Sequence, residues 1–127
     1  MTVHPIIHCL VAVARHHGLG ASTDALAEEF GEVSAAPNNA QVLAMARSLG
    51  LRGRYKRSSW ESLSSLKGVF PLVARLKDGS ACLIAGVISE PGTAAPQVAV
   101  IDPRAPGVRK LDRFEFDAEW SGEIFFV

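Results

Sequence analysis

Residues 71–88 read PLVARLKDGSACLIAGVI, two apolar runs, Pro71 to Leu76 and Ala81 to Ile88, on either side of Lys77-Asp78-Gly79-Ser80. Asp-Gly tolerates the positive backbone angles of a tight turn, so the stretch reads as a β-hairpin and commits the chain to antiparallel pairing. Downstream, residues 91–96 form a Pro- and Gly-containing loop, and Val98 to Ile101 and Val108 to Leu111 give a second pair of strands. Asp112 with Glu115 caps a short helix through Trp120, and Ile124 to Val127 is a closing strand. Upstream, Leu51 to Arg57 alternates as a strand with a basic exposed side, and Ser58-Ser59-Trp60-Glu61 is a capping box opening a short helix through Leu66.

Before Leu51 the period is helical. Pro5 suits a first helical turn, Ile6, Leu10, Val13 and His17 recur at helical spacing over residues 5–17, and Gly18 ends the helix. A second helix starts from Ser22 and carries Leu26 and Phe30 to Gly31. A third starts at Asn38, capped with Gln41, buries Val42, Met45, Ala46 and Leu49, and stops at Gly50. Helices first, then an antiparallel meander with short helical interruptions, describe a single α+β domain over residues 1–127 with its helices packed on one face of the sheet.

A chain of 127 residues buries roughly two thirds of its unfolded surface and needs neither disulfide nor metal to fold. Thirteen basic and thirteen acidic residues cancel, so there is no net positive field of the kind that selects phosphate backbones, and nucleic acid is excluded as a partner. Cys9 and Cys82 both sit inside apolar runs, where free thiols serve as small hydrophobes, which fits a reducing cytoplasmic setting. The apolar stretch near the N-terminus is interrupted by His8 and closed by Arg15-His16-His17, too short to span a bilayer and without a basic region ahead of it.

Three constellations bear on chemistry. His4 and His8 are four apart on a helix, with Cys9 or His16 nearby, yet a structural zinc site draws four ligands from at least two elements, so the expectation is no metal site. Cys9 is a nucleophile only if a base reaches its sulfur, and all four histidines (4, 8, 16 and 17) lie in or beside its own helix. It also sits a full turn inside that helix, away from the N-terminal dipole that lowers a thiol pKa, so a packed thiol is the expected reading. No Gly-x-x-x-x-Gly-Lys-Ser/Thr and no Gly-x-Gly-x-x-Gly occurs, so no nucleotide cofactor is expected here.

The ordered set of segments is more specific than any one of them. An apolar helix ending in Arg15-His16-His17-Gly18, then Leu26 and Phe30, Val42 to Leu51 with its Ala-Arg-Ser-Leu-Gly-Leu, Pro71-Leu72-Val73-Ala74, Asp78-Gly79, Val100-Ile101-Asp102-Pro103, and Phe114-Glu115-Phe116 with Trp120-Ser121-Gly122-Glu123 span the whole chain. This resembles the bacteriocin-processing peptidase domain, cysteine peptidase family 39. The resemblance implies a papain-like cysteine peptidase fold. Placed by that likeness, the family's cysteine position falls on Pro5, its histidine position on Ala81, after the Asp-Gly turn, and its orienting aspartate on Asp102. The glutamine ahead of the family's cysteine has no counterpart among the four residues before Pro5, and no histidine follows His17.

One retained triad member orients nothing, so the resemblance implies a degenerate domain that is no enzyme and has no catalytic residues of its own. It further implies the peptidase-like domain of a type I secretion ABC transporter, binding or docking the unfolded export substrate, a toxin or adhesin. The soluble domain would lie on the cytoplasmic face of the bacterial inner membrane, with the remainder of the transporter and its periplasmic adaptor as partners. ATP and magnesium would belong to the ATPase domain of the longer exporter and not to this domain. Substrate-binding candidates are Arg52, Arg54 and Tyr55, in the local basic strip Arg52-Gly-Arg54-Tyr-Lys56-Arg57. The rival readings are a cysteine hydrolase using Cys9 and a structural appendage that supports transporter assembly.

Overall fold

The computed structural model describes residues 4–30, 37–66, 70–88, 95–102, 105 and 107–127. The elements in chain order are α1 (Pro5–His16), α2 (Thr23–Phe30), α3 (Asn39–Ser48), β1 (Arg54–Arg57), α4 (Trp60–Ser64), β2 (Leu72–Leu76), β3 (Ala81–Ile88), β4 (Gln97–Ile101), β5 (Arg109–Leu111), α5 (Arg113–Glu119) and β6 (Trp120–Phe126). The strands form one antiparallel sheet of order β1-β6-β2-β3-β4-β5. The α+β class with helices on an antiparallel sheet is therefore as the sequence reads it. Most of the expected loop at 91–96 and the expected stop at Gly31 lie outside the described residues.

Local chemistry accounts for the element ends. Asn38 and Asp112 each accept the backbone N–H three residues on, and Gln41 and Glu115 return a side-chain oxygen to the cap N–H, so two of the three expected capping boxes are closed. His4 adds one that sequence reading missed: its Nδ1 accepts the N–H of Ile6 at 3.1 Å and caps α1. The box expected from Ser58 is not formed. Ser59 is the cap, accepting from the N–H of Ser62, so α4 begins one residue later and Glu61 lies inside its first turn. Gly79 of the hairpin takes φ +87°, the conformation that made Asp-Gly informative.

Two strand boundaries differ from expectation for steric reasons. β1 starts at Arg54 and not at Leu51, because the chain before it is held against α3: the Leu51 N–H donates to the Ala46 carbonyl at 2.9 Å. At Gly53 a Cβ would stand 2.9 Å from Leu43 Cδ2 and 3.3 Å from Ala46 Cβ, so a larger residue would have to push the Leu43 side chain aside. β6 is longer than expected, beginning at Trp120, because it inserts between β1 and β2 and finds ladder partners on both sides. The simple meander is replaced by this insertion of the last strand into the middle of the sheet.

Both faces of the sheet are covered, whereas the sequence reading placed the helices on one. On the first face α1, α2 and α3 pack over Val73, Ala81, Leu83 and Phe125. On the second, Trp60 and Leu63 of α4 and Phe116 of α5 pack over Leu72, Ala74, Cys82, Ile84, Val98, Val100 and Ile124. The alternation along β2 and β3 sorts the side chains to the two faces.

Candidate functional site

α1 lies on β2 and β3, and its buried residues Ile6, Cys9, Leu10 and Val13 share one cluster with Ala81 and Leu83. Pro5 is the first residue of that helix, half-buried. Ala81 opens β3, is buried, and stands opposite Arg75 of β2. Leu83 stands opposite Ile101, which places the half-buried Asp102 just beyond the end of β4, beside the head of β3. The fold thus sets the head of β3 beside the end of β4, with α1 packed over β3.

Arg75 is a member of this region that sequence reading did not single out. It is the one buried charged residue among those described, with its guanidinium 5.6 Å from the Phe125 ring centroid and donating to the Pro37 carbonyl at 2.7 Å. Among the described residues its Nε is buried without a hydrogen-bond partner. The signal that points to it is positional: Arg75 is two residues from Val73 and so falls on the same covered face.

The two thiols are packed, and neither is in a disulfide. Cys9 is fully buried on the α1 face, so a substrate reaches it only by parting the helix from the sheet. Cys82 faces the other side, where burial, with Glu119 and Asp102 nearby, pushes its thiol up to about 12, well away from nucleophilic readiness. His8 is half-buried, His16 and His17 are exposed, and their rings meet edge to face at 5.4 Å. No cluster of three or more metal-ligating side chains occurs among the described residues.

Beside the C-terminal half of α1 the surface is concave. A cavity of about 250 Å³ is lined by Ala12, His16, Phe70, Pro71, Leu83, Ala85 and Ile101. A second, of about 440 Å³, is lined by His17, Arg52, Gly53, Arg54, Phe70, Phe126 and Val127. Phe70 belongs to both, and the successive residues His16 and His17 each line one, so together they make a trough around the end of α1. Arg52 and Arg54 line this concavity. Tyr55 does not: strand alternation turns it to the α1 face, where its ring packs 5.5 Å from that of Phe125.

Comparisons with known proteins agree on one class. The family described as Peptidase C39 family matches residues 6–127. A cyclolysin secretion/processing ATP-binding protein, CyaB, of Bordetella pertussis is 33% identical over 116 residues, 91% of this chain. The chain spans only 15% of that relative's length. The N-terminal peptidase C39 like domain of a toxin secretion ATP-binding protein from Vibrio parahaemolyticus superposes with TM-score 0.79 at 20% identity, covering 99% of this chain and 97% of that one. A double glycine motif protease from an AMS/PCAT transporter, solved in complex with the leader peptide, superposes with TM-score 0.81 at 21% identity, covering 99% and 84%.

These findings correct the expectation that the chain is no enzyme. The matching family is one of cysteine peptidases, and the similar structures include a protease with its peptide bound. The expectation rested on placing the family's cysteine and histidine positions on Pro5 and Ala81 and on the absence of any histidine after His17, and the match of residues 6–127 to a peptidase family stands against it. No described helix is long and apolar enough to cross a membrane.

Proposed function

The chain belongs to the peptidase C39 family, and from that premise we propose that it serves a secretion ABC transporter as the domain that receives an extended segment of the exported polypeptide. The observation that carries this reading is the trough around the end of α1, whose lining is mainly apolar and whose rim at Arg52 and Arg54 is basic. Its walls come from α1, from β3 and β4, and from the residues at the start of β1 and the end of β6, elements held by the core, so the groove is pre-formed and costs little to organise on binding. An unfolded segment loses conformational freedom on docking, so its affinity is modest and falls when the segment is allowed to fold. The relatives named for secretion and processing, and the protease solved with a leader peptide, support a peptide ligand in a transporter setting.

The test is a titration of the isotope-labelled domain with the polypeptide exported by its transporter, in unfolded and folded forms. The unfolded form is expected to shift amides of Ala12, His16, Phe70, Ala85 and Ile101, and Ala85→Arg, which fills the trough, is expected to weaken binding by about tenfold. Mass spectrometry of the same samples reads out whether the bound segment is cut. Tighter binding of the folded form, or shifts confined to surfaces away from the trough, would overturn the proposal.

A further inference from the structure

We infer that the free edge of β1 adds an acidic, extended strand: a polypeptide segment with carboxylates at alternate positions pairs with Arg54–Arg57 as a seventh strand of the sheet. β1 ends the strand order and is paired on one side only, to β6, so its other side presents the backbone N–H and C=O groups of an edge. Arg54 and Lys56 are exposed and lie two apart, on one face of the strand. Arg52 is exposed just ahead of them. Among the described residues none of these three cations forms a salt bridge.

The opposite edge of the sheet shows the difference. Its strand, β5, is basic too, but Arg109 there is bound by Glu119 at 3.2 Å. On β1 the nearest acid across the ladder is Glu123, opposite Arg57, and its carboxylate accepts from the Ser121 hydroxyl. Edge cations repel a second copy of the same edge, which protects against self-pairing, and the same charges attract a strand carrying carboxylates in register with Arg54 and Lys56. The cavity of about 440 Å³ at the head of the edge, with Phe70, Phe126 and Val127 in its wall, takes one apolar side chain of the added segment. A membrane surface fits less well, since the chain's net charge is zero and an exposed sheet edge offers hydrogen bonds that lipid does not use.

The inference rests on the reading that the domain receives extended polypeptide, and adds where and by what chemistry a second contact forms. The test uses three capped octapeptides: glutamate alternating with valine, the same with glutamine for glutamate, and the glutamate form N-methylated at every residue so that it can donate along neither edge. The glutamate peptide is expected to shift amides of 52–57 and 123–127. The glutamine peptide, and the domain carrying Arg54→Glu with Lys56→Glu, are each expected to bind about tenfold more weakly, and the difference is expected to shrink at high salt. Both substitutions are at exposed positions, and an unchanged spectrum elsewhere confirms that the variant folds. Equal binding of the glutamine or the N-methylated peptide overturns the inference, as does binding to phosphatidylglycerol vesicles with no response to the peptides. If the octapeptides fail while the unfolded exported chain still shifts the trough, only the edge inference falls; a silent trough with a responsive edge overturns the trough alone.

Discussion

The two faces of the sheet are sealed by different means. The α1 face is closed by three helices, of which the twelve-residue α1 buries Ile6, Ile7, Cys9, Leu10, Val11, Val13 and Ala14, an aliphatic set distributed around most of its circumference. The opposite face is closed by helices of five and seven residues, too short to hold their form alone, and its core contains a cluster of three aromatic rings. Phe116 stands between Trp60 and Trp120, with ring centroids 6.1 and 5.0 Å away. A long helix distributes its burial over many modest side chains, whereas a short one depends on a single large anchor and a good cap. Sensitivity to substitution should accordingly be spread along α1 and concentrated in α5.

The largest expected effect is on the concentrated side. Phe116→Ala removes a fully buried ring and is expected to cost about 3–5 kcal/mol, while Leu10→Ala on α1 is expected to cost about 2–5 kcal/mol. Denaturant unfolding of both variants checks this. A Phe116→Ala loss well below that of Leu10→Ala would mean that α5 is a loose cover and would break the comparison.

The thiols sharpen it next. Cys82, on the aromatic face, has a folded-state pKa raised from 9.0 to about 12 by burial. A group raised in this way keeps the folded state favoured below the unfolded value and loses that contribution as pH climbs from there to the folded value. Stability is therefore expected to fall between about pH 9 and 12 in part through this residue, and Cys82→Ala to flatten that limb relative to the parent chain. An unchanged alkaline limb in the variant would show that the face opens to water there.

How legible this was depends on how far apart the interacting residues lie. The hairpin at 71–88, the capping boxes at Asn38 and Asp112 and the helix over residues 5–17 are local patterns, and the structure shows them with ends moved by a residue or so, whereas the box expected from Ser58 is replaced by a cap at Ser59. The insertion of β6 between β1 and β2 is not local: nothing in Trp120-Ser-Gly-Glu123 alternates, and the segment becomes strand because two neighbours offer it backbone partners. The second covered face escaped for a related reason, since five residues of α4 carry too short a pattern to show which side they bury. Of the site, the basic strip at 52–57 is readable in the residues themselves, but the trough depends on Phe70 and Ala85 meeting α1 across the sheet, and no spacing shows that.

The caps test the same contrast at smaller scale. Asp112 and Asn38 close boxes of the same type, one on α5 and one on α3. Each substitution to alanine is expected to cost about 1 kcal/mol. Because α5 is seven residues long and has little else to hold it, Asp112→Ala should also speed local amide exchange over Arg113–Glu119, while Asn38→Ala should leave α3 protected. Equal exchange in the two helices would show that length is not what separates the faces.

The smallest effect concerns the surface tie between the two short helices. Arg113 of α5 meets Glu61 of α4 at 2.8 Å, and both side chains are exposed, so removing the pair should leave global stability close to unchanged. The carboxyl of Glu61 reports on it all the same. Its pKa is held below the usual value, first by a backbone hydrogen bond in the opening turn of α4 and second by the charge of Arg113. Arg113→Ala should therefore raise it only part of the way, because the larger cause stays in place. The sign follows from linkage: a depressed carboxyl favours the folded state above its unfolded pKa, and that contribution is lost as pH falls through the folded value. An NMR titration of the Glu61 carboxyl in the parent and in Arg113→Ala separates the two causes. A full return to the ordinary glutamate value would mean that the backbone bond forms only while Arg113 holds Glu61 in place, so that the short helices order each other. A partial return is the expected result, with each short helix ordered by its own cap and its own buried ring.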